Sequence, residues 1–183
     1  MKKKSQNDFD YIAELLEEFF KQRSLRKSFR IIFDGDITGW EIWLQIEFAR
    51  FLAEHPSTPE WERERAFQFD YRRENVKWFL KPDFILRKKG WAIERYVALE
   101  IKQHANLGNC VSNMIDDLAK VAKIRKSEID LRSYWALGIF RTDPDSDVEE
   151  IVASKLQDSG LGYYPSVSSV NKIPRTPYSY VLF

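Results

Sequence analysis

The sequence predicts an α/β domain: a mixed β-sheet flanked by helices, in the order helix, three strands, helix, strand. Three observations predict it. Apolar residues recur at helical spacing over 8–21, 38–54 and 112–126, whereas the stretches between them alternate at period two or run continuously apolar. The three central strands are joined by short turns, which favour antiparallel pairs. The last is reached through a helix, which favours a parallel crossover.

Taken in order, residues 8–21 place Phe9, Ile12, Leu15, Leu16, Phe19 and Phe20 at helical spacing with acids between them. A basic stretch over 21–30 leads to Ile31-Ile32-Phe33 and the turn Asp34-Gly35-Asp36. A second helix runs from Thr38 to about Glu54 and is ended by His55-Pro56-Ser57-Thr58-Pro59. Strict alternation over Ala66–Tyr71 marks a strand, and residues 76–80 lead into a second one at Pro82-Asp83-Phe84-Ile85-Leu86. The basic turn Arg87-Lys88-Lys89-Gly90 connects to a third strand over 91–103. Ser112 is placed to cap a helix reaching Lys126, with Met114, Ile115, Leu118, Val121 and Ala122 on its buried side. Residues 134–140 form an apolar interior strand. Asp143–Asp147 opens a helix closed near Gly160, and Tyr163–Val170 with Tyr178–Phe183 reads as edge strand and tail.

With 183 residues and no repeat, low-complexity tract or linker, residues 1–183 are expected to form one domain, its core spanning about 38–141. A net charge of +1 neither demands nor excludes a nucleic-acid partner. Lone Cys110 cannot close an internal disulfide, and no signal peptide or apolar run of membrane length is visible, so a cytoplasmic setting without membrane association is expected.

The chemistry-bearing stretch is Ala98-Leu99-Glu100-Ile101-Lys102-Gln103, with Pro82-Asp83 upstream. Side chains alternate along a strand, so Val97, Leu99 and Ile101 face a core while Glu100 and Lys102 share the other face. If Asp83 lies on the neighbouring strand, two carboxylates and an amine converge. Mg2+ takes hard oxygen ligands and is commonly held by one or two carboxylates. It polarises a phosphoryl oxygen and acidifies a coordinated water. Asp83 and Glu100 suit the ligand role, with the Ile101 backbone carbonyl a third oxygen, and Lys102 is placed to orient the attacking water or to stabilise negative charge.

Pro82-Asp83 followed by Glu100-Ile101-Lys102 resembles the PD-(D/E)XK nuclease superfamily. The resemblance covers about 38–141 and implies a restriction-endonuclease-like core (α-β-β-β-α-β). It implies a Mg2+-dependent deoxyribonuclease, Mn2+ able to substitute, with Asp83 and Glu100 as ligands, Lys102 as the catalytic lysine and Gln103 as a polar neighbour in the site. Many members add a glutamate from the first core helix. On a helical wheel, Glu41 and Glu47 both fall at the edges of the stripe of Trp40, Leu44, Phe48, Phe51 and Leu52, where an unpaired carboxylate is costly. Both stay open as catalytic candidates, with Glu47 slightly favoured as catalytic group and metal ligand because an acid in the first turn has a second explanation in the helix dipole. By analogy the chain would be an endonuclease of restriction, mobile-element, phage or repair type acting on DNA, with RNA left open, and a homodimer if both strands are cut. The alternative is a catalytically silent nuclease-like fold that binds nucleic acid or protein.

Other features read more plainly. Asp34 and Asp36 form a turn, the Asp143-Asp145-Asp147 series a helix start, His104 a polar loop residue, and Cys110 a small buried one. The basic groups Arg87–Lys89 and Lys120, Lys123, Arg125, Lys126 suit a phosphate backbone as well as they suit solvent. Trp78, Trp91 and Tyr96 fit a core better than a base-stacking platform.

Overall fold

The structure is a computed structural model that describes residues 2–68, 79–92, 95–121 and 130–183. Three helices come first: α1 (Lys2–Lys21), α2 (Arg23–Asp34) and α3 (Glu41–Glu54). α1 starts earlier than its apolar periodicity, since Lys and Gln extend a helix without needing a core. The basic stretch after it is itself helical. Leu25, Phe29 and Ile32 fall on one face at spacings of four and three and are buried. α2 stops at Gly35, whose N–H donates to the Ile31 carbonyl at 2.9 Å.

Among the described residues eight strands follow: β1 (Glu60–Arg63), β2 (Phe67–Gln68), β3 (Phe79–Leu80), β4 (Phe84–Arg87), β5 (Arg95–Gln103), β6 (Asp130–Arg141), β7 (Ser169–Lys172) and β8 (Tyr178–Leu182). α4 (Leu107–Val121) connects β5 to β6, and α5 (Val148–Asp158) follows β6. The main sheet has the order β1-β4-β5-β6-β8-β7. β1, β4 and β5 pair antiparallel, β5 and β6 parallel, and β8 antiparallel with both β6 and β7. The expected mixed sheet flanked by helices is therefore present.

Several boundaries differ from the sequence reading. The first strand of the central meander is β1, a short charged stretch, and not Ala66–Tyr71. Phe67-Gln68 instead pairs with Phe79-Leu80 in a separate two-stranded sheet, and 69–71 and 76–78, Trp78 included, lie outside the described residues. Phe67 still buries its ring, against Ile85, Tyr96 and Ala98. Tyr178–Phe183 is no tail: β8 is an inner strand with all five residues buried, and β7 is the edge. α4 starts five residues before Ser112, because Asn106 is the cap: its Oδ1 accepts the Asn109 N–H at 3.0 Å. Its expected extension past Val121 lies outside the described residues. α5 opens at Asp147, which accepts the Glu150 N–H at 3.0 Å, as expected for a helix start.

The sheet divides two cores. Phe84, Leu86, Val97, Leu99 and Ile101 face α1, α2 and α3, where Phe19, Phe29 and Phe48 are fully buried. Ala136, Phe140 and Val181 face α4 and α5. Gly138 on β6 decides how closely α4 lies on the sheet. A Cβ there would collide with Met114 Sδ and stand 2.9 Å from Cys110 Sγ. Between the first layer and the sheet, Asp8 is buried and accepts from Arg132 Nε at 2.7 Å and from the Ser133 hydroxyl at 2.9 Å, tying α1 to β6. Among the described residues no helix is long and apolar enough to cross a membrane.

Candidate active site

β4 and β5 pair as far as Phe84↔Leu99. Pro82, just beyond, has no N–H to give, so the ladder cannot continue with backbone groups alone. One step past the last pair, the register brings Asp83 opposite Glu100. The two strands are joined there by side chains: the Asp83 N–H donates to Glu100 Oε2 at 3.3 Å, and Asp83 Oδ2 accepts the Ile101 N–H at 2.7 Å. A residue's N–H and C=O leave a strand on the same side, which puts the Ile101 carbonyl on the Asp83 side of β5.

Glu100 and Lys102 project from the same face of β5, toward α4, as alternation requires. Lys102 Nζ donates to Glu100 Oε1 at 3.2 Å and lies 3.8 Å from Glu41 Oε1. Glu41 stands at the first residue of α3 and reaches the end of β5, where its Oε2 accepts the Gln103 N–H at 3.2 Å. Gln103 thus joins the cluster through its backbone. Glu47 does not join it. Six residues along the helix amounts to about 9 Å of rise and a 240° turn, and its carboxylate accepts instead from Arg50 at 2.6 Å. The helix glutamate that meets the lysine is Glu41, whereas Glu47, slightly favoured on the sequence, meets Arg50.

Two further residues belong to the cluster. Asp117 of α4 accepts from Lys102 Nζ at 2.9 Å through Oδ2, and its other oxygen pairs with Lys120. Tyr134 of β6 donates its hydroxyl to Glu100 Oε2 at 3.0 Å. Both carried a signal. Asp117 is an acid at the edge of the buried stripe of α4, the criterion applied to Glu41 and Glu47. Tyr134 is a hydroxyl in an apolar strand and requires a partner when buried.

Burial, and then the charge of Glu100, push the Asp83 carboxyl up to about 7. Burial also raises Glu100, against the pull of Lys102. Burial alone would lower Lys102, but its hydrogen bond with Asp117 and the charges of Glu100, Asp117 and Glu41 outweigh it and raise the ammonium. Burial would raise Asp117, yet hydrogen bonds from Lys102 and Lys120 outweigh it and hold the carboxyl low. Desolvation, with Glu100 beside it, raises Tyr134. Four carboxylates therefore face two ammonium groups, and the imbalance falls on the Asp83–Glu100 pair, which shares the feature of two like charges that resist ionising together.

That pair supplies oxygen donors of the kind a hard divalent cation takes. Among the described residues no three His, Cys, Asp or Glu side chains form a ready cage, but Mg2+ does not need one. It is commonly held by one or two carboxylates and keeps several of its waters. Asp83, Glu100 and the Ile101 carbonyl are the groups available to hold it.

The remaining sequence candidates have other partners. Arg87 is buried and paired with Glu60 while donating to the Trp91 carbonyl at 3.0 Å. Lys120 is engaged with Asp117, and Lys123, Arg125 and Lys126 lie outside the described residues. His104 Nδ1 accepts the Asn106 N–H at 3.0 Å. Trp91 packs on Tyr11 and under Arg132, and Cys110 is fully buried. A cavity of about 390 Å3 lies away from the carboxylates, between α1 and the β7–β8 hairpin. A smaller one of about 230 Å3 adjoins the cluster and is lined by Trp40, Gln103, His104, Arg141 and Tyr178, among others. Compared with models of protein families, with curated proteins and with solved structures, the chain finds no match.

Proposed function

We propose that the chain is a metal-dependent nuclease of the PD-(D/E)XK type, with a restriction-endonuclease-like core, that hydrolyses phosphodiester bonds in DNA. The observation that carries this reading is the side-chain junction at Asp83 and Glu100, with Lys102 on the same face. Asp83, Glu100 and the Ile101 carbonyl would hold Mg2+, or Mn2+ in its place. The chemistry such a cation supplies when bound is polarisation of the phosphoryl oxygen and acidification of water. The protein's own groups do the rest. Tyr134 fixes Glu100 Oε2, and the Ile101 N–H fixes Asp83 Oδ2, so the two carboxylates are oriented before any substrate arrives. Lys102 places an ammonium beside them that can hold a water or neutralise charge gathering on phosphorus-bound oxygens. Glu41 adds a further carboxylate 3.8 Å from that ammonium. One such site cuts one strand, so cleavage of both strands calls for a pair of chains.

A second reading, a silent fold that binds nucleic acid or protein, draws on one observation: Lys102 is satisfied by internal carboxylates. The test separates the two. Supercoiled, linear and single-stranded DNA are incubated with the purified chain in Mg2+ or Mn2+, beside Glu100→Gln and Lys102→Ala. The nuclease reading expects cleavage by the wild type and loss in both variants. Intact DNA in every arm, with no heat of Mn2+ binding, overturns it in favour of the binding module.

A further inference from the structure

We propose that Asp117 is a positioning residue, which acts on the reaction by holding the Lys102 ammonium in place. The inference rests on the nuclease reading above and deepens it. Lys102 is a long, flexible side chain whose Nζ could occupy many positions. Of its three carboxylate neighbours, Asp117 is the nearest, at 2.9 Å against 3.2 Å for Glu100 and 3.8 Å for Glu41.

The three anchors are not equivalent. Glu100 is the carboxylate assigned to the cation, so its oxygens are claimed by the reaction itself. Glu41 is the most exposed of the three, with 31% of its side chain open to solvent, and its other oxygen is committed to the Gln103 N–H. Asp117 has only 10% of its side chain exposed and touches neither Asp83 nor the Ile101 edge in any described hydrogen bond. Its second oxygen is steadied by Lys120 one helical turn on. Both of its oxygens are thus held by ammonium groups, without recourse to Glu100.

The backbone supports the same assignment. In the parallel pairing of β5 and β6, Lys102 stands beside Gly138. The missing side chain at Gly138 is what lets α4 settle at Met114 and Cys110. Asp117 lies three residues beyond Met114, so the close contact that Gly138 permits lowers the Asp117 carboxylate onto Lys102.

The experiment measures steady-state cleavage and the Lys102 ammonium 1H–15N signal, which an ion pair makes observable by slowing proton exchange. It uses wild type, Asp117→Asn, Asp117→Glu and, as a charge-matched control, Asp116→Asn, whose residue is exposed on the same helix. Asp117→Asn should lower kcat about a hundredfold, the scale of a misplaced reacting group, leave KM for DNA unchanged and broaden the Lys102 signal. Asp117→Glu should recover part of kcat, and Asp116→Asn should match the wild type. Wild-type kcat in Asp117→Asn with an unchanged Lys102 signal overturns the proposal. If Asp117→Asn does not fold, Asp117→Glu decides: wild-type kcat despite a shifted Lys102 signal overturns it equally. Failure of the nuclease reading looks different, because the wild type then shows the Lys102 signal but cleaves nothing.

Discussion

Replacing the Asp83 carboxylate with an amide should make the protein more stable at neutral pH. Asp83 rises from an ordinary 3.8 to about 7 in the folded chain. A carboxyl with a raised folded value keeps its proton in the fold at pH values where the unfolded chain has released it. Stability from this group is therefore fully present below about pH 4 and is lost as pH climbs to about 7. Roughly three units at 1.36 kcal/mol each amount to about 4 kcal/mol, an upper figure because Glu100 titrates with it. Asn keeps an oxygen for the Ile101 N–H and carries no charge, so Asp83→Asn should match the wild type near pH 4 and exceed it by a few kcal/mol at pH 8. Other carboxylates, Asp117 among them, are held low and pull the opposite way, so the difference between the two curves is the quantity to read. Urea unfolding followed by fluorescence of the 6 tryptophans, from pH 4 to 8.5, supplies it. At pH 8, Mn2+ should narrow the gap by stabilising the wild type, by about 2.7 kcal/mol at a hundred times its Kd. Parallel curves, or an Asp83→Asn protein weaker than wild type at pH 8, would refute the reasoning.

Three further outcomes follow from the same contacts. Glu41→Gln should slow DNA cleavage about tenfold or more by removing a charge beside Lys102, whereas Glu47→Gln, which loses only the Arg50 pair, should leave the rate of plasmid nicking unchanged. Gly138→Ala should destabilise by about 1–3 kcal/mol, read as a lower urea midpoint, since the added methyl meets Met114 and Cys110. Asp8→Ala strips Arg132 and Ser133 of a buried partner and should cost about 3 kcal/mol by the same measurement; no change would mean that Arg132 reaches water freely.

How much of this was legible depended on whether a residue's neighbours are set by its own element. Glu100 and Lys102 were readable because strand alternation fixes their shared face, and Asp83 because a short turn returns the chain antiparallel. Glu41 and Glu47 could not be separated on the wheel: both flank the apolar stripe, and what decides is which end of α3 meets the end of β5. β1 is not legible because three of its four residues are charged, and a strand held by the Glu60–Arg87 pair between β1 and β4 does not alternate in hydropathy. Asp117 and Tyr134 were readable in kind, as polar groups among buried ones, but their target lies on another element. The inner position of β8 depends on long-range order that no local pattern encodes.

Where β4 and β5 part, the fold has given one side chain two duties. The Asp83 carboxylate caps a frayed seam by taking the amide that a backbone carbonyl would otherwise take, and on the nuclease reading proposed above it is also the group offered to an incoming cation. Any occupant that draws Asp83 outward must compete with the Ile101 amide and so loosens the zipper between the two strands. Loading such a site would then be felt along the backbone, as faster exchange of the Ile101 amide hydrogen, and would not be confined to side chains.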